Sequence, residues 1–352
     1  MEFAFTSEQK MIAETARVFF TENATRERTR QAMACDGVDY ALWASFCQEL
    51  GFSAIGIPEN LGGAGLGLVE MAIIAEAAGA QVAAFPMFGS LVLCAQAIAA
   101  GGGAGQREDL LPRLMSGETI AAYGHAATLV DDGNGLSGEA AFVAHGASAR
   151  IFVVTGNNGA WIVKADAPGV SIAQLTTMDQ TRPYARVVLS GVVGEPLAQP
   201  GKAIAAAQRA GFVAIAAEAL GGAQACLDRT VAYARERIQF GRSIGSFQAY
   251  KHRLADMMIE IEQARSAVYW AACATDEGAV DAELAAHAAK SFAADTYFMC
   301  AGNMIQLHGG IGFTWEHDAH LFFKRARALQ SMLGNGDWHR EQVAAMIFGE
   351  MA

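Results

Sequence analysis

A mainly α protein with a small β domain is the fold class this sequence predicts, and two observations carry that prediction. Apolar residues recur at three- and four-residue spacing through an N-terminal stretch, 1–117, and again through a C-terminal stretch, 199–352. Between them, over 118–198, the helical periodicity gives way to short β-prone runs punctuated by Gly, Asn, Asp and Pro. The three stretches are read as an N-terminal helical domain, a middle β-barrel-like domain and a C-terminal four-helix bundle.

The elements follow in order. Thr6-Ser7-Glu8-Gln9 offers an N-cap with a Gln three residues on, and Met11, Ile12, Thr15, Val18 and Phe19 then share a helical face. A second helix starts near Asp39 and carries Leu42, Trp43, Phe46 and Leu50. Pro58 to Gly65 is loop chemistry, followed by a helix over 68–79 and an Ala-rich one over 90–101. In the middle stretch the runs Ala149–Val154, Ala160–Val163 and Ala185–Leu189 read as strands. Beyond Gly201, apolar stripes predict helices over 202–236, 247–275, 281–306, 316–332 and 338–348.

Composition narrows the function. With 53% hydrophobic and 17% charged residues, the chain can bury a large core and is not a disordered protein. A net charge of -11 argues against nucleic acid as a partner, yet a phosphate-bearing cofactor needs only a few local donors. The apolar windows 82–100 and 203–225 contain Pro86 and Gln96, and Arg209, Glu218 and Gln224, so they read as buried helices; no membrane association is expected. Six cysteines stand singly, as small core residues do, which implies a reducing and hence cytoplasmic compartment. The residues Met1 to Phe5 lack the charged-then-apolar pattern of a leader. His308, His317, His320 and His339 show no metal-ligand spacing, so no metal is expected.

Two motifs carry chemistry. The first runs from Tyr233 through Arg237, Gln239, Phe240 and Gly241 to Phe247 and Gln248. Arg237 falls at the end of a long helix, where its guanidinium fork could serve either the helix dipole or a phosphate. The Phe240-Gly241 turn and the Gln248 amide that follow favour the phosphate. The second, Gln306-Leu307-His308-Gly309-Gly310-Ile311-Gly312-Phe313, places bare backbone where a ligand can approach closely.

Together these segments resemble the acyl-CoA dehydrogenase family over essentially the whole chain. The first is similar to its Arg-x-x-Phe-Gly turn with a following Gln, the second to its Gln-x-x-Gly-Gly-x-Gly loop. The resemblance implies an acyl-CoA dehydrogenase-like fold, FAD as cofactor, and Arg237, Gln239, Phe240, Phe247, Gln248, Gln306, Gly309 and Gly310 as its binding residues. It also implies an acyl-CoA substrate, an electron-transferring flavoprotein as acceptor, and a homo- or hetero-oligomer built as a dimer of dimers.

One departure from the family is informative. Its base is commonly a Glu in a Tyr-Glu-Gly loop between the last two helices, and here Gly334 occupies that position. The alternative position on the long helix is Gly211. Two readings follow. In one, the chain is an autonomous FAD-dependent acyl-CoA dehydrogenase whose base is Asp337 or Glu218. In the other, it resembles the shorter subunit of a heteromeric α2β2 dehydrogenase, completing an FAD site while the partner supplies the base.

Overall fold

The computed structural model describes residues 5–349 apart from 132, 134 and 158. The chain opens with helices α1 (Ser7–Asn23), α2 (Arg26–Met33), α3 (Tyr40–Gln48), α4 (Leu68–Ala80), α5 (Gln96–Gly101) and α6 (Ala104–Met115). Strands β1 (Ala121–His125), β2 (Val130–Asp131), β3 (Leu136–Ala144), β4 (Ile151–Gly156), β5 (Gly159–Lys164), β6 (Val170–Leu175), β7 (Tyr184–Val192) and β8 (Glu195–Pro196) follow. Then come α7 (Pro200–Glu236), the short hairpin β9 (Ile238–Gln239) and β10 (Arg242–Ser243), and helices α8 (Gln248–Asp276), α9 (Ala282–His308), α10 (Ala319–Ser331) and α11 (Gly336–Phe348). The helix, strand, helix order is the one the sequence predicts. A π-helical stretch, Phe88–Ala95, leads directly into α5, so the Ala-rich segment is wound more loosely than a plain α-helix.

By contacts the chain groups into two compact units that cut across sequence order. One comprises Glu27–Gly67 and Ala84–Gly211, the other Met1–Arg26, Leu68–Ala83 and Phe212–Ala352.

The first unit holds the strands. Two four-stranded sheets, in the orders β1-β4-β5-β8 and β2-β3-β7-β6, are antiparallel apart from the parallel pair β1 and β4. Between them Phe152, Val154, Trp161, Val163, Leu136, Val187 and Leu189 form one buried cluster. All of β4 is buried, whereas β3 and β7 alternate buried and exposed positions as a one-sided strand must. In the same unit Asp39 caps α3 by accepting from Leu42 N at 2.9 Å, and both its oxygens hold the Arg28 fork at 2.8 Å. The Trp43 indole donates to Gly117 O at 3.0 Å, and Phe46 packs between Trp43, Phe52 and Phe85. Ser90, in the π-helical stretch, accepts from Ala121 N at 3.1 Å and so ties that helix to the start of β1.

The second unit is helical. Thr6 and Gln9 complete a reciprocal capping box at the head of α1, as their spacing predicts. Gln9 also donates to Glu70 on α4 at 2.9 Å. At the end of α8 the Asp276 carboxylate accepts from Leu68 N and Val69 N, at 2.7 and 3.0 Å, and caps α4 from a distant part of the sequence. Helices α4 and α7 touch backbone to backbone: a Cβ on Gly79 would overlap the carbonyl of Glu218, and one on Gly221 the carbonyl of Glu76. Helix α7, 37 residues long, is the one helix among the described residues long and apolar enough to cross a membrane; 94% of that window is buried in protein. Cys47, Cys94, Cys226 and Cys300 are buried free thiols.

Phe152→Ala, at the centre of the sheet core, is expected to cost about 3–5 kcal/mol in urea unfolding. Phe142→Ala, on an exposed position of the same domain, should stay within about 0.5 kcal/mol of the parent.

Candidate functional site

The two sequence motifs meet at the far end of the helical unit. Arg237 follows the last residue of α7, and its backbone N–H still donates to Tyr233 O at 2.9 Å. The Arg237 carbonyl accepts from Ile244 N at 2.9 Å, closing the base of the β9–β10 hairpin. At the hairpin tip Phe240 sits in left-handed backbone space, at φ 52°, a conformation that costs a bulky residue about 1–2 kcal/mol. Phe247 packs edge-on to Phe240, at 6.2 Å, and under the Arg242 guanidinium, at 4.0 Å, which stiffens the turn.

A cleft of about 700 Å³ opens beside this hairpin. Arg237, Gln239, Gln306, Gly309 and Gly310 line it together, as the motifs lead one to expect. Phe240, Phe247 and Gln248 do not; at the start of α8, Ala249 and Tyr250 take the wall position read for Gln248. Tyr233 and His308, which lie within the two motifs but were given no binding role, line the same cleft, and so does Arg253, which neither motif contains. Arg253 follows Gln248 by little more than a turn of α8, so helical spacing was the available signal. Tyr233 and His308 stack at 4.4 Å, and His308 Nδ1 lies 2.7 Å from Met304 O, to which it donates. Burial holds the His308 ring below the usual histidine range. The cleft lining holds two guanidiniums, two Gln amides and open backbone at Gly309 and Gly310, and no carboxylate.

Roughly 28 Å away along α9, counting 1.5 Å per residue from Gly309 back to Lys290, stands the loop that joins α10 to α11. Its carbonyls are pinned by side chains. Lys290 Nζ donates to Gln330 O at 3.0 Å and also to Gly334 O. Ser291 Oγ donates to Gly336 O at 3.1 Å, and His339 Nε2 lies 3.2 Å from Leu333 O. Since a carbonyl can only accept, His339 carries its proton on Nε2 and leaves Nδ1 to accept. His287 Nδ1, 2.7 Å from His339 Nδ1, is then the donor of that pair. Phe212 and Trp338 pack around both rings. Burial first, then the Lys290 charge and the neighbouring His287, push the His339 pKa down to about 3. Burial also lowers Lys290 to about 8. Among the described residues no three His, Cys, Asp or Glu side chains converge as metal ligands, so the histidine pair has no third ligand.

Both carboxylates weighed as a base are held by arginines. Asp337 lies in the first turn of α11, its side chain 82% exposed and bound to Arg340 at 2.6 Å. Glu218 is buried on α7, and its Oε1 lies 2.5 Å from Nη1 of the buried Arg325 on α10. A carboxylate paired with a buried guanidinium has a structural role in holding α7 to α10. Gly334 itself has φ 103°, and a Cβ there would lie 2.5 Å from the Trp338 ring.

Comparison with known proteins agrees with this architecture. Residues 6–118 match the family description "Acyl-CoA dehydrogenase, N-terminal domain", and residues 208–348 match "Acyl-CoA dehydrogenase, C-terminal domain". The acyl-CoA dehydrogenase IpdE2 of Mycobacterium tuberculosis is 38% identical over 93% of this chain and 93% of its own length. A variant of the Tcur3481-Tcur3483 steroid ACAD superposes with a TM-score of 0.89 at 33% identity, covering 97% of this chain and 98% of that one. A chain of the ChsE4-ChsE5 complex from Mycobacterium tuberculosis superposes at 0.92, with 26% identity over 100% of both. The chain belongs to the acyl-CoA dehydrogenase family.

Two outcomes are expected from this geometry. Glu218→Gln removes the carboxylate that pairs with the buried Arg325 and should cost about 3–5 kcal/mol in urea unfolding; a loss near zero would show that the pair contributes little to stability. The depressed pKa of His339 means that the unfolded chain binds the extra proton more readily than the folded one. Its stabilising contribution is therefore complete above about pH 6.5 and declines as pH falls toward about 3. His339→Gln should flatten that part of the stability profile.

Proposed function

We propose that this chain is the cofactor-binding, base-less subunit of a heteromeric acyl-CoA dehydrogenase that oxidises an acyl-CoA thioester between its α and β carbons. The observation that carries the proposal is the pinned loop 331–336. It contains no carboxylate, its Gly334 has no space for a side chain, and Lys290, Ser291 and His339 hold its carbonyls in place. Abstraction of the α-proton needs a general base within hydrogen-bond reach of the substrate; the family resemblance makes that base a carboxylate, and we assign it to the partner subunit. The likeness to the two-protein structures Tcur3481-Tcur3483 and ChsE4-ChsE5 supports a heteromer. Tcur3481-Tcur3483 is a steroid ACAD, which favours a steroid-derived acyl group here.

The cleft beside the hairpin fits FAD by its donor set. In a chain of net charge -11, a lining with arginines and amides but no carboxylate suits a diphosphate. Arg237 would hold phosphate, Gln239 and Gln306 would offer amides, and the bare backbone of Gly309 and Gly310 would let the cofactor lie close. When bound, FAD accepts the hydride that leaves the β carbon. An electron-transferring flavoprotein is the acceptor the family resemblance implies. What this chain contributes is the binding and orientation of the cofactor.

The test begins with the chain purified alone and mixed anaerobically with acyl-CoA thioesters, steroid-derived ones included. No bleaching of the ~450 nm flavin band is expected until a longer family member bearing the loop Glu is co-expressed. Bleaching by the chain alone, abolished by Asp337→Asn, would overturn the proposal. Gly334→Glu should create no activity in the isolated chain and should lower its melting temperature, because the new side chain meets Trp338.

A further inference from the structure

We infer that Arg253 is a second phosphate-binding arginine of the cleft, acting with Arg237 to clamp the diphosphate of an adenine dinucleotide. The inference rests on the FAD reading and adds a residue that neither sequence motif contains. Three elements converge here: the segment after α7 brings Arg237, α8 brings Arg253, and the end of α9 brings Gln306 to Gly310.

Several arginines of this unit are neutralised by carboxylates, whereas the two that line the cleft are not. Arg265 meets Glu76 at 2.6 Å, Arg325 meets Glu218 at 2.5 Å and Arg340 meets Asp337 at 2.6 Å. Among the described residues Arg237 has no side-chain partner, and Arg253 has a single neutral one, donating from Nη1 to Asn303 Oδ1 at 3.0 Å. Asp256, one turn further along α8, forms no ion pair with it. The chain carries 36 acidic residues against 25 Lys and Arg, so two uncompensated guanidiniums on one carboxylate-free cleft run against its average charge. Like charges near one another repel, and a bound dianion reverses the sign of that interaction. The Asn303 bond fixes the direction of the Arg253 fork without neutralising it, which leaves its other N–H groups for bidentate contact with phosphate. The stacked Tyr233–His308 pair adds a flat aromatic wall beside the charge, suited to a base or ribose.

The experiment compares FAD, FMN and riboflavin binding to the full chain, in whichever assembly retains flavin, by fluorescence titration. Variants are Arg237→Ala, Arg253→Ala, Arg253→Lys and Asn303→Ala. Arg253→Ala should weaken FAD about tenfold or more, leave riboflavin unchanged and reduce the salt dependence of FAD binding. Arg253→Lys should recover part of the loss, and Asn303→Ala should give a smaller one. If Arg237→Ala weakens FAD and Arg253→Ala does not, this inference fails while the FAD reading stands. If neither variant changes FAD affinity, the cleft is not the flavin site and both fail. Equal losses for FAD and riboflavin, with a lowered melting temperature, would make Arg253 a tie between α8 and α9 and overturn the inference.

Discussion

The helical unit is organised around one buried ion pair. Glu218 on α7 and Arg325 on α10 meet at 2.5 Å, with almost no solvent at either group. Placing two charges out of water costs several kcal/mol each, which only close and well-oriented pairing offsets. The pair therefore fixes the rotation of α7 about its axis and the position of α10 against it. One helical turn away, Gly221 lets α4 approach α7 at backbone distance, and Gly222 gives the same access to the ring of Tyr297 on α9. A polar constraint and two missing side chains thus set the packing of α4, α7, α9 and α10.

Helix α9 links what remains of the chemistry. Its N-terminal half supplies Lys290, Ser291 and His287, which hold the loop after α10. Its C-terminal end supplies Gln306, His308 and the glycine turn of the cationic cleft. The two ends differ in electrostatic logic. At the loop, donors and acceptors of this chain satisfy one another: ammonium to carbonyl, hydroxyl to carbonyl, imidazole to imidazole. At the cleft, positive charge is left without an internal counter-ion. A self-satisfied cluster has little to offer a substrate, whereas an uncompensated one asks for an anion.

That division bears on how the chain relates to its family. A missing carboxylate could be a single substitution in an otherwise open pocket. Here the loop is tightly packed, since Trp338 occupies the space above Gly334 and Lys290 donates to its carbonyl. The same environment keeps His339 neutral over the physiological range, because a second proton would set two donors 2.7 Å apart beside an ammonium.

Much of the fold was legible in the sequence, for local physical reasons. The Thr6–Gln9 capping box, the Asp39 cap, and the stripes of α7 to α11 are statements about neighbours one turn apart, which sequence spacing records directly. Helix α2 was not read because Arg26–Met33 is polar nearly all round. Strands β1, β3 and β6 escaped because Gly124, Gly138 and alternating polar residues break up any apolar run. The cleft was half legible: its motifs, Tyr233 and His308 included, are short local segments, but Arg253 joins them only when three helix ends converge. That a glycine, Gly334, stands in the loop between α10 and α11 was readable directly. That Glu218 is tied to Arg325, and that Lys290 and His287 close the loop from α9, depends on residues 40 to 107 positions apart in the chain. Such partnerships come from helix packing, which periodicity constrains without fixing. The sequence alone determined the order of elements, the family resemblance and the absence of a carboxylate from residues 331–336; tertiary packing decided which charges are paired within the chain and which are not, because pairing depends on residues that only the packed helices bring together.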